Sequence, residues 1–103
     1  MLVDKADNGR YRWRLKATNG RIVATSWPVY PDAEEAGRAF GRLRQESAGL
    51  PARISHVKEG AGWIWILRTA QGAPLARSVR AYERYATCQI AFGKFLALLE
   101  TVG

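Results

Sequence analysis

Alternating apolar and polar positions predict two β-hairpins in this chain. The first alternation runs from Arg12 to Thr18 and resumes from Arg21 to Ser26, around Asn19-Gly20. An Asn-Gly pair between such segments favours a two-residue turn, because both residues of that turn need a positive φ. Gln71-Gly72 takes the corresponding place in the second half. Each hairpin is expected to follow a shorter strand, near residues 2–5 and 53–57.

A helix is predicted after each hairpin. Asp32 can cap the first helix, with Glu35 three residues later in the pattern of a capping box. Apolar side chains then recur with helical spacing, and Gly49 and Pro51 end the helix. The expected buried stripes are Ala36, Ala39, Phe40 and Leu43 in the first helix and Cys88, Ala91, Phe92, Phe95 and Leu99 in the second.

The two halves of the chain repeat each other at an offset of 52 residues. Between 11–45 and 63–97, nine of thirty-five aligned positions are identical without a gap, where ordinary composition would give about two. We therefore expect one domain over 1–103, built from repeats 1–50 and 51–103. The identical pairs are Trp13/Trp65, Leu15/Leu67, Gly20/Gly72, Ala24/Ala76, Ser26/Ser78, Tyr30/Tyr82, Ala39/Ala91, Phe40/Phe92 and Gly41/Gly93.

The hairpin turn predicts which side chains face the core. A two-residue turn pairs residues whose numbers sum to 39 in the first hairpin and to 143 in the second, and partners share a face. The predicted core face is Trp13, Leu15, Ala24 and Ser26 with Trp65, Leu67, Ala76 and Ser78. Neither half can cover its sheet alone. The expected fold is α+β: two ββ(β)α repeats forming one antiparallel sheet, with both helices on one face and pseudo-twofold symmetry.

The opposite face of the sheet differs between the halves. It is expected to be strongly cationic in the first half, where it carries Arg12, Arg14, Lys16, Arg21, Val23 and Thr25. In the second half it is expected to be partly apolar, with Ile64, Ile66, Arg68, Leu75 and Arg77.

The segment from Tyr11 to Ser26, followed by Tyr30 and a short helix, resembles the YegP-like family of small bacterial and archaeal proteins. The strongest stretch is Leu15 to Gly20 with Ser26 and Tyr30, and the second half matches less well. This resemblance implies the tandem layout and the single sheet. Members with one copy of the unit are taken to dimerise into the same shape. The family has no known function and offers no catalytic residues to carry over.

The composition limits the cellular compartment and the kinds of partner that we expect for the protein. The formal charge of +7 suggests an acidic partner, although an arginine-rich composition is also what a GC-rich genome produces without any ligand. The single cysteine excludes an internal disulfide. No apolar segment is long enough to span a membrane, and the N-terminus does not resemble a signal peptide. We expect a soluble, cytoplasmic protein.

The sequence gives little support to catalysis. His56 is the only histidine and Cys88 the only cysteine, and Cys88 falls on a predicted core stripe. The carboxylates are scattered without metal-ligand spacing. We expect a protein that is not an enzyme and that uses no cofactor or metal.

Two functions remain open. Ile64, Ile66, Leu75 and Trp27 predict a surface for a protein partner or a second copy of the chain, because apolar side chains on an open sheet face call for a cover. The alternative is sequence-tolerant binding of a nucleic-acid backbone by Arg12, Arg14, Lys16, Arg21, Arg68 and Arg77. Stacking on bases is less favoured, since the aromatic residues of both hairpins are expected on the core face.

Overall fold

The computed structural model describes residues 1–6, 8–50, 52–57 and 62–101, with side chains except at 48 and 52–57. The first half contains β1 (Leu2–Lys5), β2 (Tyr11–Lys16), β3 (Ile22–Ser26) and α1 (Ala33–Glu46), which a 3₁₀ turn follows (Ser47–Gly49). The second half contains β4 (Ala52–Val57), β5 (Gly62–Arg68), β6 (Pro74–Ser78) and α2 (Tyr85–Thr101). Each predicted strand and helix is present at or near its expected position.

All described strands form one antiparallel sheet in the order β1-β2-β3-β6-β5-β4. The two halves meet at its centre, where β3 pairs with β6 through Ala24 and Ser78, Thr25 and Arg77, and Ser26 and Ala76. The α+β class with one antiparallel sheet and two helices is therefore confirmed.

The predicted core face is buried beneath the helices. All eight of its residues are at most 5 % exposed: Trp13, Leu15, Ala24, Ser26, Trp65, Leu67, Ala76 and Ser78. From α1, Phe40 packs edge-on against Trp13 at 5.1 Å between ring centroids. From α2, Phe95 stacks on Trp65 at 4.4 Å. Ladder partners link these strands across one face, so both helices lie on the same side of the sheet.

The first helix begins where the sequence predicted. Asp32 has an extended backbone, and its Oδ1 accepts a hydrogen bond from the Glu35 amide at 2.8 Å. This bond satisfies one of the amides that the first turn of a helix leaves unpaired. The C-terminal ends of the two helices are tied together, because Nε of Arg44 donates to the Leu99 carbonyl of α2.

The predicted two-residue turn is wrong. The Gly20 amide donates to the Ala17 carbonyl, and the Ala17 amide donates to the Arg21 carbonyl, which closes a loop of three residues. The extra loop residue shifts the register between Leu15 and Lys16, so that Lys16 pairs with Ile22. The second hairpin has the same loop and the same shift, between Leu67 and Arg68.

This register shift leaves one bulge residue in each hairpin, Val23 and Leu75. The pairing passes from Ile22 to Ala24 on one strand and from Pro74 to Ala76 on the other. A bulge turns its residue out of the strict alternation. Both Val23 and Leu75 are half-buried and pack against the core on the helix side.

An ion-pair cluster holds the outer strand β1 on the face opposite the helices. The Asp4 carboxylate accepts from Nε of Arg12 at 3.0 Å and also from Nη2 of Arg14. Partial burial would raise the pKa of Asp4, but the hydrogen bonds from Arg12 and Arg14 outweigh it and hold that pKa below its ordinary value of 3.8. The cluster joins the sheet edge to β2.

Replacing Trp65 by Ala should lower the free energy of unfolding by about 3–5 kcal/mol, because it leaves a cavity against Phe95. The loss is a large part of what a domain of this size has. Denaturant unfolding followed by circular dichroism measures it. Trp27→Ala is the matched control: Trp27 is 44 % exposed, so we expect a change within about 0.5 kcal/mol. An unchanged midpoint for Trp65→Ala would reverse the assignment of the two faces.

Replacing Asp4 by Asn should destabilise the protein by roughly 0.5–1 kcal/mol at pH 7. The pKa of Asp4 is lowered in the folded state, so its contribution is complete above pH 3.8 and is lost as the pH falls through the folded-state pKa. The difference in Tm between parent and variant should therefore shrink on acidification. Glu34→Gln, at a carboxylate that is 77 % exposed, should show a smaller difference at pH 7. A gap for Asp4→Asn that stays constant down to pH 2 would contradict this role.

Candidate interaction surfaces

The sheet face opposite the helices does not present the apolar patch that the sequence predicted. Ile66 is only 5 % exposed, and Ile64 is half-buried. The strand β5 is an interior strand between β4 and β6, and Arg77 lies directly beside Ile66 on β6. The prediction of Ile66 as an open docking residue is therefore wrong, because Ile66 is buried on an interior strand beside Arg77.

Leu75 is also misplaced by the sequence prediction. The bulge turns it to the helix side, where it packs against the core and faces α1. It cannot share a surface with Ile64, which follows the regular alternation of β5. The apolar set predicted for the sheet face is thus divided between the two sides of the sheet.

Trp27 is the one predicted docking residue whose side chain is exposed. It follows β3, its amide donates to the Leu75 carbonyl, and its side chain is 44 % exposed. The guanidinium of Arg77 lies over the indole ring, with Cζ 5.7 Å from the ring centroid. An exposed aromatic ring therefore stands beside a cation on the sheet, which the sequence did not predict.

Four of the six predicted phosphate-binding side chains are engaged within the protein. Arg12 and Arg14 bind Asp4, so they are not the solvated cations that the alternation suggested. Nη1 of Arg68 donates to the Gly72 carbonyl at 2.9 Å, and Nη1 of Arg77 donates to the Ser78 carbonyl. Lys16 and Arg21 are exposed, and no described carboxylate forms an ion pair with either.

The sulfur of Cys88 is enclosed by the core. Cys88 is fully buried in α2, and this burial raises the pKa of its thiol. A thiol of this kind is a poor nucleophile at neutral pH. The side chain of His56 lies outside the described residues. Among the residues that the structure describes, no three His, Cys, Asp or Glu side chains come together in a way that could hold a metal ion.

Part of the outer side of α2 is apolar, and the sequence did not predict this surface. Four exposed residues, Ala86, Ile90, Gly93 and Ala97, recur with the spacing of one helix face. We call them the α2 stripe. Ile90 is 60 % exposed, the largest exposure among the large apolar residues described.

No described helix has the length and apolarity needed to cross a membrane.

The corresponding side of α1 is charged. Arg38 stands 52 residues before Ile90, and it forms ion pairs with Glu34 at 2.7 Å and Glu35 at 2.5 Å. Those carboxylates raise the pKa of Arg38, with the Glu35 hydrogen bond as the largest cause. The repeat alignment already contained this difference between the helices, because Ile90 aligns with Arg38 of the first half.

Two clefts lie between the helices and the hairpins. The first cleft has a volume of about 190 Å³ and lies between α1 and the second hairpin. The second has a volume of about 640 Å³ and lies between α2 and the first hairpin. The bulge residues line them, Leu75 in the first cleft and Val23 in the second. Each cleft therefore takes its walls from both halves of the chain.

Corresponding side chains line the two clefts, but their charges differ. Arg42 and Glu46 border the first cleft, whereas Lys94 and Leu98 stand 52 residues later in the second. Arg80 adds another cation to the second cleft. Its Cζ lies 5.1 Å from the ring centroid of Tyr82, another lining residue, whose hydroxyl pKa is raised mainly by burial. The second cleft is larger and carries cations without a lining carboxylate.

Comparisons with known proteins agree with this fold. Residues 6–39 match the family described as "Domain of unknown function (DUF1508)". UPF0339 protein SO3888 from Shewanella oneidensis has a solution structure with a TM-score of 0.76 at 18 % identity, covering 97 % of this chain and 83 % of that one. The protein of unknown function YegP from E. coli gives a TM-score of 0.76 at 19 % identity, covering 96 % and 84 %. No curated protein matches the chain.

The two kinds of match reach the same family by separate routes. The DUF1508 match rests on the sequence of residues 6–39, and the structural likeness rests on the fold of nearly the whole chain. Together they confirm the resemblance predicted from the sequence, and the chain is similar to the YegP-like proteins, a family whose function is unknown.

Proposed function

We propose that the protein is a non-enzymatic interaction module whose α2 stripe binds a second copy of the chain. The observation that carries the proposal is Ile90, a large apolar side chain that is 60 % exposed at the place where α1 has an ion-paired arginine. An apolar residue at a position that tolerates charge is not needed for packing within its own half. A cover from outside is the simplest reason for it.

The composition of the stripe fits a helix as the partner. Ala86, Gly93 and Ala97 are small and lie on both sides of Ile90 along the helix axis. Small residues let a second helix approach closely, and Ile90 supplies a side chain that can insert between its turns. A twofold arrangement is the default, because a self-complementary surface closes on itself.

The proposal moves the predicted interface from the sheet to α2. Ile66 is buried and Leu75 faces the helices, so the sheet no longer offers a continuous apolar surface. Ile64 and Trp27 remain partly accessible. A partner that bound them on the sheet would also contact the neighbouring arginines.

The two halves, 1–50 and 51–103, support a description as repeats with pseudo-twofold symmetry. The sheet order β1-β2-β3-β6-β5-β4 reads alike from either edge. Both hairpins have a three-residue loop and a bulge at equivalent positions. Each also has an antiparallel bridge at its base, between Tyr11 and Tyr30 in one half and between Trp63 and Tyr82 in the other.

Nucleic-acid binding is the second candidate, and Trp27 favours it. Arg77 lies over this exposed ring, and Lys16 and Arg21 are exposed elsewhere on the first hairpin. A ring for stacking combined with unpaired cations is the pairing that single-strand binders use. Because Arg12 and Arg14 form ion pairs with Asp4, fewer cations are available to bind phosphate groups.

Replacing Ile90 by Arg should keep the fold and raise the monomer fraction, because it copies Arg38 of the first half. Sedimentation velocity over a hundredfold range of concentration measures the monomer fraction, and circular dichroism checks the fold. Val79→Arg is the matched control: it adds the same charge at a position 37 % exposed outside α2, and it should leave association unchanged. A parent protein that is monomeric at every concentration would overturn the proposal.

Replacing Lys16 and Arg21 by Ser should weaken any binding of single-stranded DNA and reduce the slope of log affinity against log salt by up to about 1.5. Trp27→Ala should weaken binding with the slope unchanged, since stacking releases no counterions. Fluorescence anisotropy with a labelled oligonucleotide gives both quantities. The double variant Arg10→Ser with Arg84→Ser removes two exposed cations elsewhere and serves as the control. Equal losses in both double variants would mean that net charge alone drives binding.

A further inference from the structure

The second cleft has the dimensions of a ligand site. Its volume of about 640 Å³ falls within the range of about 300–1,000 Å³ that is typical of small-molecule pockets. Its walls come from α2 on one side and from the first hairpin on the other, where the Val23 bulge turns inward. The equivalent cleft of the other half, at about 190 Å³, is below that range.

Most of the lining of this cleft is apolar, and its charged groups are all of one sign. Val23, Phe95, Leu98 and Ile90 supply apolar surface. The ionisable lining residues besides Tyr82 are Lys94 and Arg80, and neither has a described carboxylate within ion-pairing distance. An apolar lining that carries two cations and no carboxylate suits a ligand with an apolar body and an anionic end.

The first cleft provides an internal comparison. Arg42 and Glu46 both line the first cleft, so its described lining carries no net charge. In the second cleft Lys94 keeps the place of Arg42, but Leu98 has replaced the glutamate. The change removes a negative charge and adds apolar surface at the same point. Both effects favour an apolar anion in the second cleft alone.

We propose that the second cleft binds a small monocarboxylate with an aliphatic body. The carboxylate would lie against Lys94 and Arg80, the two exposed cations of the lining. The aliphatic body would lie along Val23, Phe95 and Leu98. The proposal goes beyond the interaction module, since it concerns a ligand in the cleft between α2 and the first hairpin; Ile90 and Ala97 of the α2 stripe also border that cleft.

The test is a titration of the ¹⁵N-labelled full chain with sodium octanoate at pH 7, below its micelle concentration. Amide chemical shifts should move at Ala17, Val23 and Lys94 around the second cleft and stay fixed at Arg42 and Thr69 of the first. Octanol and octylammonium have the same body without the negative charge. They should bind at least about tenfold more weakly, because the charge-assisted contact is missing. Equal binding of the three compounds, or shifts in the first cleft, would overturn the proposal.

Matched variants test the contribution of the cation to ligand binding separately from that of the apolar lining. Lys94→Met should weaken octanoate binding about tenfold and leave octanol binding unchanged. Arg42→Met makes the same kind of change in the first cleft, and it should affect neither ligand. Leu98→Glu restores the charge pattern of the first cleft and should weaken octanoate further. If Lys94→Met binds octanoate as the parent does, the cleft is not an anion site.

Titrations at monomer concentrations keep this proposal distinct from association through the α2 stripe. A chain that binds octanoate as a monomer supports the cleft whether or not association is found. Association without octanoate binding would remove the cleft proposal and leave the interaction module standing.

Discussion

The pairing of β3 with β6 is the interaction on which the rest of the structure depends. It joins two hairpins that could not each cover a sheet, and it places small residues, Ala24 with Ser78 and Ser26 with Ala76, at the centre. The large residues Trp13 and Trp65 then stand on the flanking strands β2 and β5, and α1 and α2 pack mainly on those strands. Burial of the aromatic core follows from that arrangement.

Much of the fold could be predicted from the sequence, because it depends on local patterns. Strand alternation and helical stripes predicted the positions of the strands and helices, and the Asp32 cap predicted the start of α1. The repeat identified the core face that includes Trp13. The hairpin loop could not be predicted, because Asn19-Gly20 suits a loop of two or of three residues. Only the hydrogen bond from Ala17 to Arg21 decides between them. That single extra residue moved Val23 and Leu75 to the other face.

The candidate sites were harder to predict, because they depend on neighbours that the chain supplies from far away. Ile66 looked exposed on its own strand, and its burial follows from its interior place in the sheet beside Arg77. Arg12 and Arg14 looked free until β1 brought Asp4 beside them. The apolar character of α2 was visible in the repeat alignment. The clefts could not be predicted without the strand order, which brings the hairpin of the other half beside each helix.

The clefts have a consequence for how such a protein can change over time. Each cleft is made by the helix of one half and the bulge of the other, so a single unit could form one only by pairing with a copy of itself. In that assembly every mutation would appear in both clefts at once. Covalent fusion removes this constraint. Within one chain, Leu98 can stand in one cleft where Glu46 stands in the other, so the two sites can differ in charge and in the ligands that they favour.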